Sequence, residues 1–127
     1  PPGAALGGAA APDLLMHEYS LVRALADRGE EEARSRRAVA VHRLTVAIGA
    51  VSGVEPELFE TAFSLCREGI LADTRLEIRR VEAAWSCPSC GCAVPSDAVL
   101  RCATCGEAAK LSGGDELILE QIEMEVP

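Results

Sequence analysis

Aromatic residues are scarce in this chain, which has one Trp, one Tyr and two Phe among 127 residues. A hydrophobic core must therefore be built from Leu, Val, Ile and Ala. Acidic residues outnumber basic ones by 20 to 12, which gives a formal net charge of −8. This charge and the lack of rings on which bases could stack argue against a nucleic-acid partner. A protein surface or a metal cation is the partner that the composition favours.

Long hydrophobic runs and catalytic residue sets are also missing. No apolar run approaches the roughly 18 residues of a membrane-spanning helix, and nothing resembles a secretory signal, so we expect a cytoplasmic protein. The chain has only two histidines, His17 and His42, with no Ser/His/Asp set and no phosphate-binding loop. The sequence therefore does not support an enzyme.

Cysteine occurs in a chemically informative pattern. Two CxxC pairs are separated by 11 residues, and a glycine directly follows each pair. In a CxxC turn both sulfurs point inward and backbone N–H groups donate to the thiolates, while the glycine lets the chain leave at positive φ. Two such turns facing each other place four sulfurs at tetrahedral corners, which suits Zn²⁺. The predicted zinc ligands are Cys87, Cys90, Cys102 and Cys105.

The cysteines could also serve in other ways. Disulfides would need an oxidising compartment. A rubredoxin-type iron site has the same four ligands, and the sequence does not exclude it. A four-thiolate zinc site has no open coordination position, so its role is structural. Of the remaining cysteines, Cys66 is expected to be a small core residue and Cys92 a spare surface thiol.

Hydrophobic periodicity predicts an α+β fold. It indicates a helix from about His17 to Arg36, a second helix from Pro56 to Gly69, and strands over 39–48, 75–83 and 116–126. The expected architecture is a small three-stranded sheet with two helices on one face, plus a zinc-ribbon-like module inserted between the last two strands.

A second metal site is indicated near His17. If Met16 were the first residue, its amine, the His17 imidazole and nearby deprotonated backbone amides would form a planar nitrogen chelate. Square-planar nitrogen donors suit Ni²⁺ or Cu²⁺ and suit Zn²⁺ poorly. His42, by contrast, is expected to be a satisfied polar residue on its strand, and the Glu30–Glu32 run a solvated helix face.

The chain resembles the HypA family of nickel metallochaperones, which deliver nickel for maturation of nickel–iron hydrogenase. The resemblance covers residues 16–127 and is based on the opening MHEYS, the middle stretch LTVAIGAVSGVEPELFETAFSLCREG, the two CxxC pairs and the closing GGDELILEQIEME. MHE followed at this distance by two CxxC pairs is a far more specific combination than either part alone.

The resemblance implies roles for individual residues. His17 would be the essential ligand of the transported Ni²⁺, and Met16 and Glu18 would contribute through amine or backbone nitrogens, with the Glu18 side chain tuning the site. The four cysteines would hold the structural Zn²⁺. The implied partners are a HypB-type GTPase and the hydrogenase large-subunit precursor, and in some organisms urease assembly proteins.

The expected organisation has three parts. Residues 1–15 would be an N-terminal extension or linker, residues 16–84 and 114–127 a nickel-binding α+β domain, and residues 85–113 a zinc-binding domain. In the family the Met of MHE is normally the first residue, whereas 15 residues precede Met16 here. An upstream peptide bond converts the amine donor to an amide, so we predict weaker nickel binding than in a chain that starts at Met16.

A rival function belongs to a different class of protein. In this alternative the chain is a zinc-ribbon interaction module with no nickel role. Substitution of His17 by Ala distinguishes the two, because a nickel metallochaperone would lose nickel binding and keep its zinc.

Overall fold

The computed structural model describes residues 6–96 and 99–127. In chain order its elements are helix α1 (Leu6–Ser35), strand β1 (Ala40–Gly49), helix α2 (Pro56–Cys66), a 3-10 turn (Gly69–Leu71) and strands β2 (Arg75–Val81), β3 (Ala84–Ser86), β4 (Ala93–Val94), β5 (Lys110–Gly113) and β6 (Leu117–Glu125). The strands form two three-stranded sheets, with the orders β2-β1-β6 and β4-β3-β5. The predicted α+β class is confirmed, and the strands of the second sheet lie between β2 and β6 in the sequence.

Helix α1 begins much earlier than the sequence predicts. The predicted start lies near His17, whereas the helix begins at Leu6. Residues 6–15, expected to be part of a linker, are therefore helical, and residues 1–5 lie outside the described residues. Alanine and leucine, strong helix formers, are frequent in this stretch and outweigh Pro12, which removes one backbone hydrogen bond.

This early start changes the setting of the MHE segment. Met16, His17 and Glu18 lie in the interior of α1 and not in its first turn. Inside an α-helix each N–H donates to the carbonyl four residues upstream. The backbone nitrogens of this segment are therefore engaged in the helix.

The chain divides into two compact units. The first comprises Pro1–Val46, Glu55–Ile78 and Leu119–Pro127, and the second comprises Ala47–Val54 and Arg79–Ile118. Strands β1, β2 and β6 contribute residues to both units. The first unit thus contains both helices, and the second contains β3, β4, β5 and both CxxC pairs.

The core of the first unit is formed by apolar faces of α1, α2 and β1. The helices pack against each other, and each fully buried Val, Leu or Phe contributes roughly 1.5–3 kcal/mol. The buried side chains are Val22, Leu25, Ala26 and Ala33 on α1, Val41, Leu44 and Val46 on β1, and Phe59, Ala62, Phe63 and Cys66 on α2. Cys66 is therefore a core residue, as predicted. Helix α2 ends at this residue, three positions before the predicted end at Gly69.

Strand β1 lies in the middle of the first sheet. The N–H of Val39 donates to the carbonyl of Glu125, and the N–H of Gly49 donates to the carbonyl of Glu116. The partner residue numbers fall along β6 as they rise along β1, so β6 runs antiparallel to β1.

Strand β2 runs in the same direction as β1. Near its start, Thr74 Oγ1 donates to the carbonyl of Val41 at 2.7 Å, and at its end the carbonyl of Val81 accepts from the N–H of Ala50. Helix α2 is the crossover between these parallel strands, as parallel pairing requires.

Charged side chains on β1 pair across the sheet. Arg43 lies 3.1 Å from Glu77 on β2 and 3.0 Å from Glu123 on β6. His42 Nε2 lies 3.1 Å from Glu125 Oε1. The prediction that His42 is a satisfied polar residue on its strand is confirmed.

The second sheet is small and has little apolar material. Trp85 on β3 pairs with Val94 on β4 and with Leu111 on β5. The core of this sheet is a cluster of Cys87, Val94 and Cys102, against which Trp85 and Ala109 pack. Two of its three fully enclosed side chains are thus cysteines of the CxxC pairs.

Candidate metal centres

The four cysteines of the CxxC pairs come together in the second unit. The sulfurs of Cys87, Cys90, Cys102 and Cys105 all lie within 4.8 Å of one another. The Cys87 and Cys105 sulfurs lie 3.2 Å apart, and those of Cys90 and Cys102 lie 3.6 Å apart. Four sulfurs bound to Zn²⁺ at about 2.3 Å are about 3.8 Å apart, so the cluster fits a tetrahedral ion with little adjustment.

The two CxxC turns have the same backbone hydrogen bonds. In each turn the glycine N–H donates to the carbonyl of the first cysteine, at 2.9 Å from Gly91 to Cys87 and 2.8 Å from Gly106 to Cys102. The N–H of each first cysteine then donates to the carbonyl five residues further on. Both glycines have positive φ, 77° and 72°, as the spacing predicts. The second turn therefore repeats the first.

Backbone N–H groups stabilise the thiolates of the two buried cysteines. The N–H of Cys90 and then the sulfur of Cys105 lower the pKa of Cys87. The N–H groups of Cys105 and Thr104 lower the pKa of Cys102 to about 6. Because the thiolate is the form that binds a metal ion, both residues are prepared as ligands.

The second cysteine of each turn has a raised pKa. The N–H of Cys92 lowers the pKa of Cys90, but the sulfurs of Cys92, Cys102 and Cys87 outweigh it and raise the pKa to about 12. The pKa of Cys105 is raised chiefly by the sulfur of Cys87. A bound cation would favour the thiolate at both positions.

The cluster has a buried side and an open side. Cys87 and Cys102 are 2% and 5% exposed, whereas Cys90 and Cys105 are exposed. Cys92 is an exposed thiol outside the four-cysteine group, as predicted. An ion held here would be shielded on one side by the core of the second sheet and accessible from the other.

The predicted nickel-binding residues lie together on α1 in different environments. Met16 is 62% exposed, and the His17 side chain is 56% exposed, whereas the Glu18 side chain is 1% exposed. Within the described part of the chain, only the four cysteines form a group of three or more potential metal ligands. His17 is thus accessible but is not surrounded by further side-chain ligands.

Glu18 connects the MHE segment to the start of α2. Its Oε2 atom accepts a hydrogen bond from the N–H of Glu55 at 2.7 Å, and Glu55 is the N-cap residue of α2. Its Oε1 atom lies 3.5 Å from His17 Nδ1, and no described residue donates a hydrogen bond to it. The carboxylate thus lies between the positive end of a helix dipole and the imidazole.

Hydrophobic periodicity and motif spacing do not predict this contact. A signal was present, because Glu18 precedes Val22 and Leu25 by four and seven residues and so lies on the apolar face of α1. A carboxylate on that face requires a buried donor, and an unpaired helix N-terminus supplies one.

The fold and the cluster define a small α+β protein of the metal-binding class. In the part of the chain that the structure describes, no helix has the length and apolar character needed to cross a bilayer. A family model described as hydrogenase/urease nickel incorporation, metallochaperone, hypA matches residues 16–124. The chain belongs to this HypA family of nickel-incorporation metallochaperones, as the resemblance indicated.

Individual relatives are similar over nearly their whole length. The hydrogenase maturation factor HypA of Wolinella succinogenes is 37% identical over 114 residues, covering 87% of this chain and 96% of the relative. That of Aquifex aeolicus is 34% identical over 114 residues, covering 87% and 99%.

Solved structures show the same fold. The nickel metallochaperone HypA from Helicobacter pylori, solved in solution, superposes with a TM-score of 0.64 at 28% identity, covering 87% of this chain and 98% of that one. Another solution structure, of a HypA protein, gives a TM-score of 0.75 at 29% identity, covering 88% and 98%.

Proposed function

We propose that this chain binds Ni²⁺ at the MHE segment and delivers it for maturation of nickel–iron hydrogenase, while Zn²⁺ occupies the four-cysteine cluster. The observation that carries the proposal is the setting of His17. Its imidazole is 56% exposed, and the adjacent Glu18 holds the segment against the start of α2. Delivery of a metal requires a ligand that is both accessible and held in a defined place.

The nickel ligands in this proposal are the His17 imidazole and nitrogens of Met16 and Glu18. The backbone nitrogens on α1 are engaged in helical hydrogen bonds, so loading requires the helix to open around Met16. The Glu18 side chain serves as an anchor, because its Oε2 already accepts from Glu55. Nickel bound at Nδ1 of His17 would also displace the contact between that atom and Glu18 Oε1.

Zinc at the four cysteines has a structural role in this proposal. Four thiolates with backbone N–H donors suit Zn²⁺ and leave no coordination position for a substrate. The second sheet encloses few apolar side chains, and structural zinc contributes roughly 10–16 kcal/mol to folding at pH 7. In this proposal the chain carries metal ions without catalysing a reaction on a substrate, and it is not an enzyme.

The proposed partners follow from the family. They are a HypB-type GTPase and the hydrogenase large-subunit precursor, with urease assembly proteins where urease is the recipient. The family description names both hydrogenase and urease. The net charge of −8 agrees with protein partners and not with nucleic acid.

The test is a matched pair of histidine variants. His17→Ala should abolish stoichiometric Ni²⁺ binding in calorimetric titrations, with zinc content by elemental analysis unchanged. His42→Ala is the control, because His42 is also about half exposed but is paired with Glu125 in the sheet. Unchanged nickel binding in His17→Ala would instead favour a zinc-ribbon interaction module.

A further inference from the structure

Cys92 is a fifth thiol placed directly beside the four-cysteine cluster. One residue, Gly91, separates it from Cys90, and both cysteines are exposed. The N–H of Cys87 donates to the carbonyl of Cys92 at 2.9 Å, so Cys92 closes the same turn that carries Cys90. The N–H of Cys92 lowers the pKa of Cys90, and the Cys92 sulfur raises it. Gly91 has φ of 77° and no neighbouring atom near the position a Cβ would take. The link between the two thiols is thus short and uncrowded.

The other exposed cysteine of the cluster has no such neighbour. Its sulfur lies within 4.8 Å of the sulfurs of Cys87, Cys90 and Cys102, all of which belong to the cluster. Glu107 is the residue of the second turn that corresponds to Cys92. The carbonyl of Glu107 accepts from the N–H of Cys102, just as the carbonyl of Cys92 accepts from the N–H of Cys87. Only the first turn therefore combines an exposed ligand with a thiol outside the cluster.

We propose that Cys90 and Cys92 form a hydroperoxide-sensitive dithiol whose oxidation to a disulfide releases the ion from the four-cysteine cluster. The release half of this inference rests on the proposed zinc site. The dithiol half rests on two exposed thiols that lie one residue apart on the same hydrogen-bonded turn.

The reaction consumes one hydroperoxide. The Cys92 thiol attacks the terminal oxygen of H₂O₂, the O–O bond breaks, and Cys92 sulfenic acid and water result. The Cys90 thiolate, which a cation in the cluster would favour, then attacks the Cys92 sulfur. The S–S bond forms, the S–O bond breaks, and the departing hydroxide takes up a proton. In total, one thiolate, one thiol, H₂O₂ and one proton give a disulfide and two waters. Both sulfurs are oxidised and the peroxide is reduced.

The loss of Cys90 would leave only Cys87, Cys102 and Cys105 to hold an ion. A disulfide sulfur is no longer an anionic donor, so the affinity for Zn²⁺ falls. Cys66 is protected from oxidation by the hydroperoxide because it is buried in the first unit. Burial also raises the pKa of its thiol.

The experiment treats the full zinc-loaded chain with H₂O₂ and follows zinc release with a chromogenic chelator. Free thiols are then alkylated and the chain is cut with trypsin, which isolates residues 81–101 with Cys87, Cys90 and Cys92 on one peptide. When half of the zinc has been released, we expect the alkyl label on that peptide to lie on Cys87. Cys92→Ser should release zinc at least about fivefold more slowly, because no resolving thiol lies beside Cys90.

Relocating the thiol provides a matched variant. Cys92→Ser combined with Glu107→Cys places the fifth thiol at the equivalent position of the second turn. We expect peroxide sensitivity to return, with the new disulfide joining Cys105 to the introduced thiol.

Two results would overturn the inference: a label on Cys92 in the first oxidised product, or zinc release from Cys92→Ser at the wild-type rate. A chain that forms the Cys90–Cys92 bond but holds another metal would contradict the zinc assignment and leave the dithiol in place. Unchanged nickel binding in His17→Ala would contradict the proposed function but would leave the zinc assignment and the dithiol proposal in place.

Discussion

The Glu18 carboxylate accepts a hydrogen bond from the backbone N–H of Glu55 at 2.7 Å. This contact joins the interior of α1 to the N-cap of α2, across 37 positions of sequence. The side chain is 1% exposed, so the bond is shielded from water and from salt. Glu18 of the MHE motif is therefore part of the framework that fixes where His17 lies.

Removal of this carboxylate should destabilise the first unit. Glu18→Ala leaves the Glu55 N–H without its acceptor and opens a cavity, which together should cost about 2–4 kcal/mol. Glu18→Gln keeps an oxygen acceptor and loses only the charge at the helix end, so we expect a loss of about 1 kcal/mol. Urea unfolding followed by the far-UV helix signal measures both.

An exposed acidic residue on the same helix is the control. Glu31→Ala should change the free energy of unfolding by less than about 0.5 kcal/mol. Equal stabilities of Glu18→Ala and Glu31→Ala would contradict the anchoring role.

Two glycines should respond to alanine in opposite ways. A Cβ at Gly29 would meet Leu44 Cδ2 at 3.6 Å, an ordinary contact, so Gly29→Ala should stabilise the chain by about 0.5–1 kcal/mol through helix propensity. A Cβ at Gly49 would lie 2.1 Å from the carbonyl oxygen of Gly114, so Gly49→Ala should cost at least about 3 kcal/mol. Thermal unfolding of the two variants checks both signs, and the same sign for both would refute the packing argument.

The elements that the sequence predicted well carry strong local signals. Strand β1 and helix α2 were located within one residue at their starts, because β-branched alternation and Pro56 mark them. The structure brings the four cysteines of the CxxC pairs together, as their spacing predicts, because the geometry of each CxxC turn is a local property. Such features need no knowledge of long-range contacts.

The features that the sequence did not predict depend on competing helix propensities or on contacts between residues far apart in the sequence. The early start of α1 reflects alanine and leucine outweighing Pro12, a balance that periodicity does not measure. The contact from Glu18 to Glu55 depends on how two helices pack, which no local pattern encodes. The same holds for the close approach of Gly49 to Gly114.

Metal removal should be visible in the fluorescence of Trp85, the only tryptophan of the chain. This residue packs against Cys87, Val94 and Cys102, so loss of the ion should expose the indole and shift its emission to longer wavelength. The far-UV helix signal should remain, because α1 and α2 have their own core in the first unit. Treatment with a strong chelator followed by re-addition of Zn²⁺ tests this, and unchanged emission after verified zinc loss would contradict it.

Trimming the chain to begin at Met16 should strengthen Ni²⁺ binding by about tenfold or more. In the longer chain the N–H groups of His17 and Glu18 lie within α1 and donate to upstream carbonyls. In the trimmed chain they would lie in the first turn, where no carbonyl accepts from them, and Met16 would offer a free amine. Calorimetric titration of both chains at neutral pH measures the difference. Acetylation of the trimmed chain separates the two causes, because it removes the amine and leaves the first turn free. An intermediate affinity is expected there, whereas equal affinities in all three forms would exclude backbone and amine nitrogens as nickel ligands.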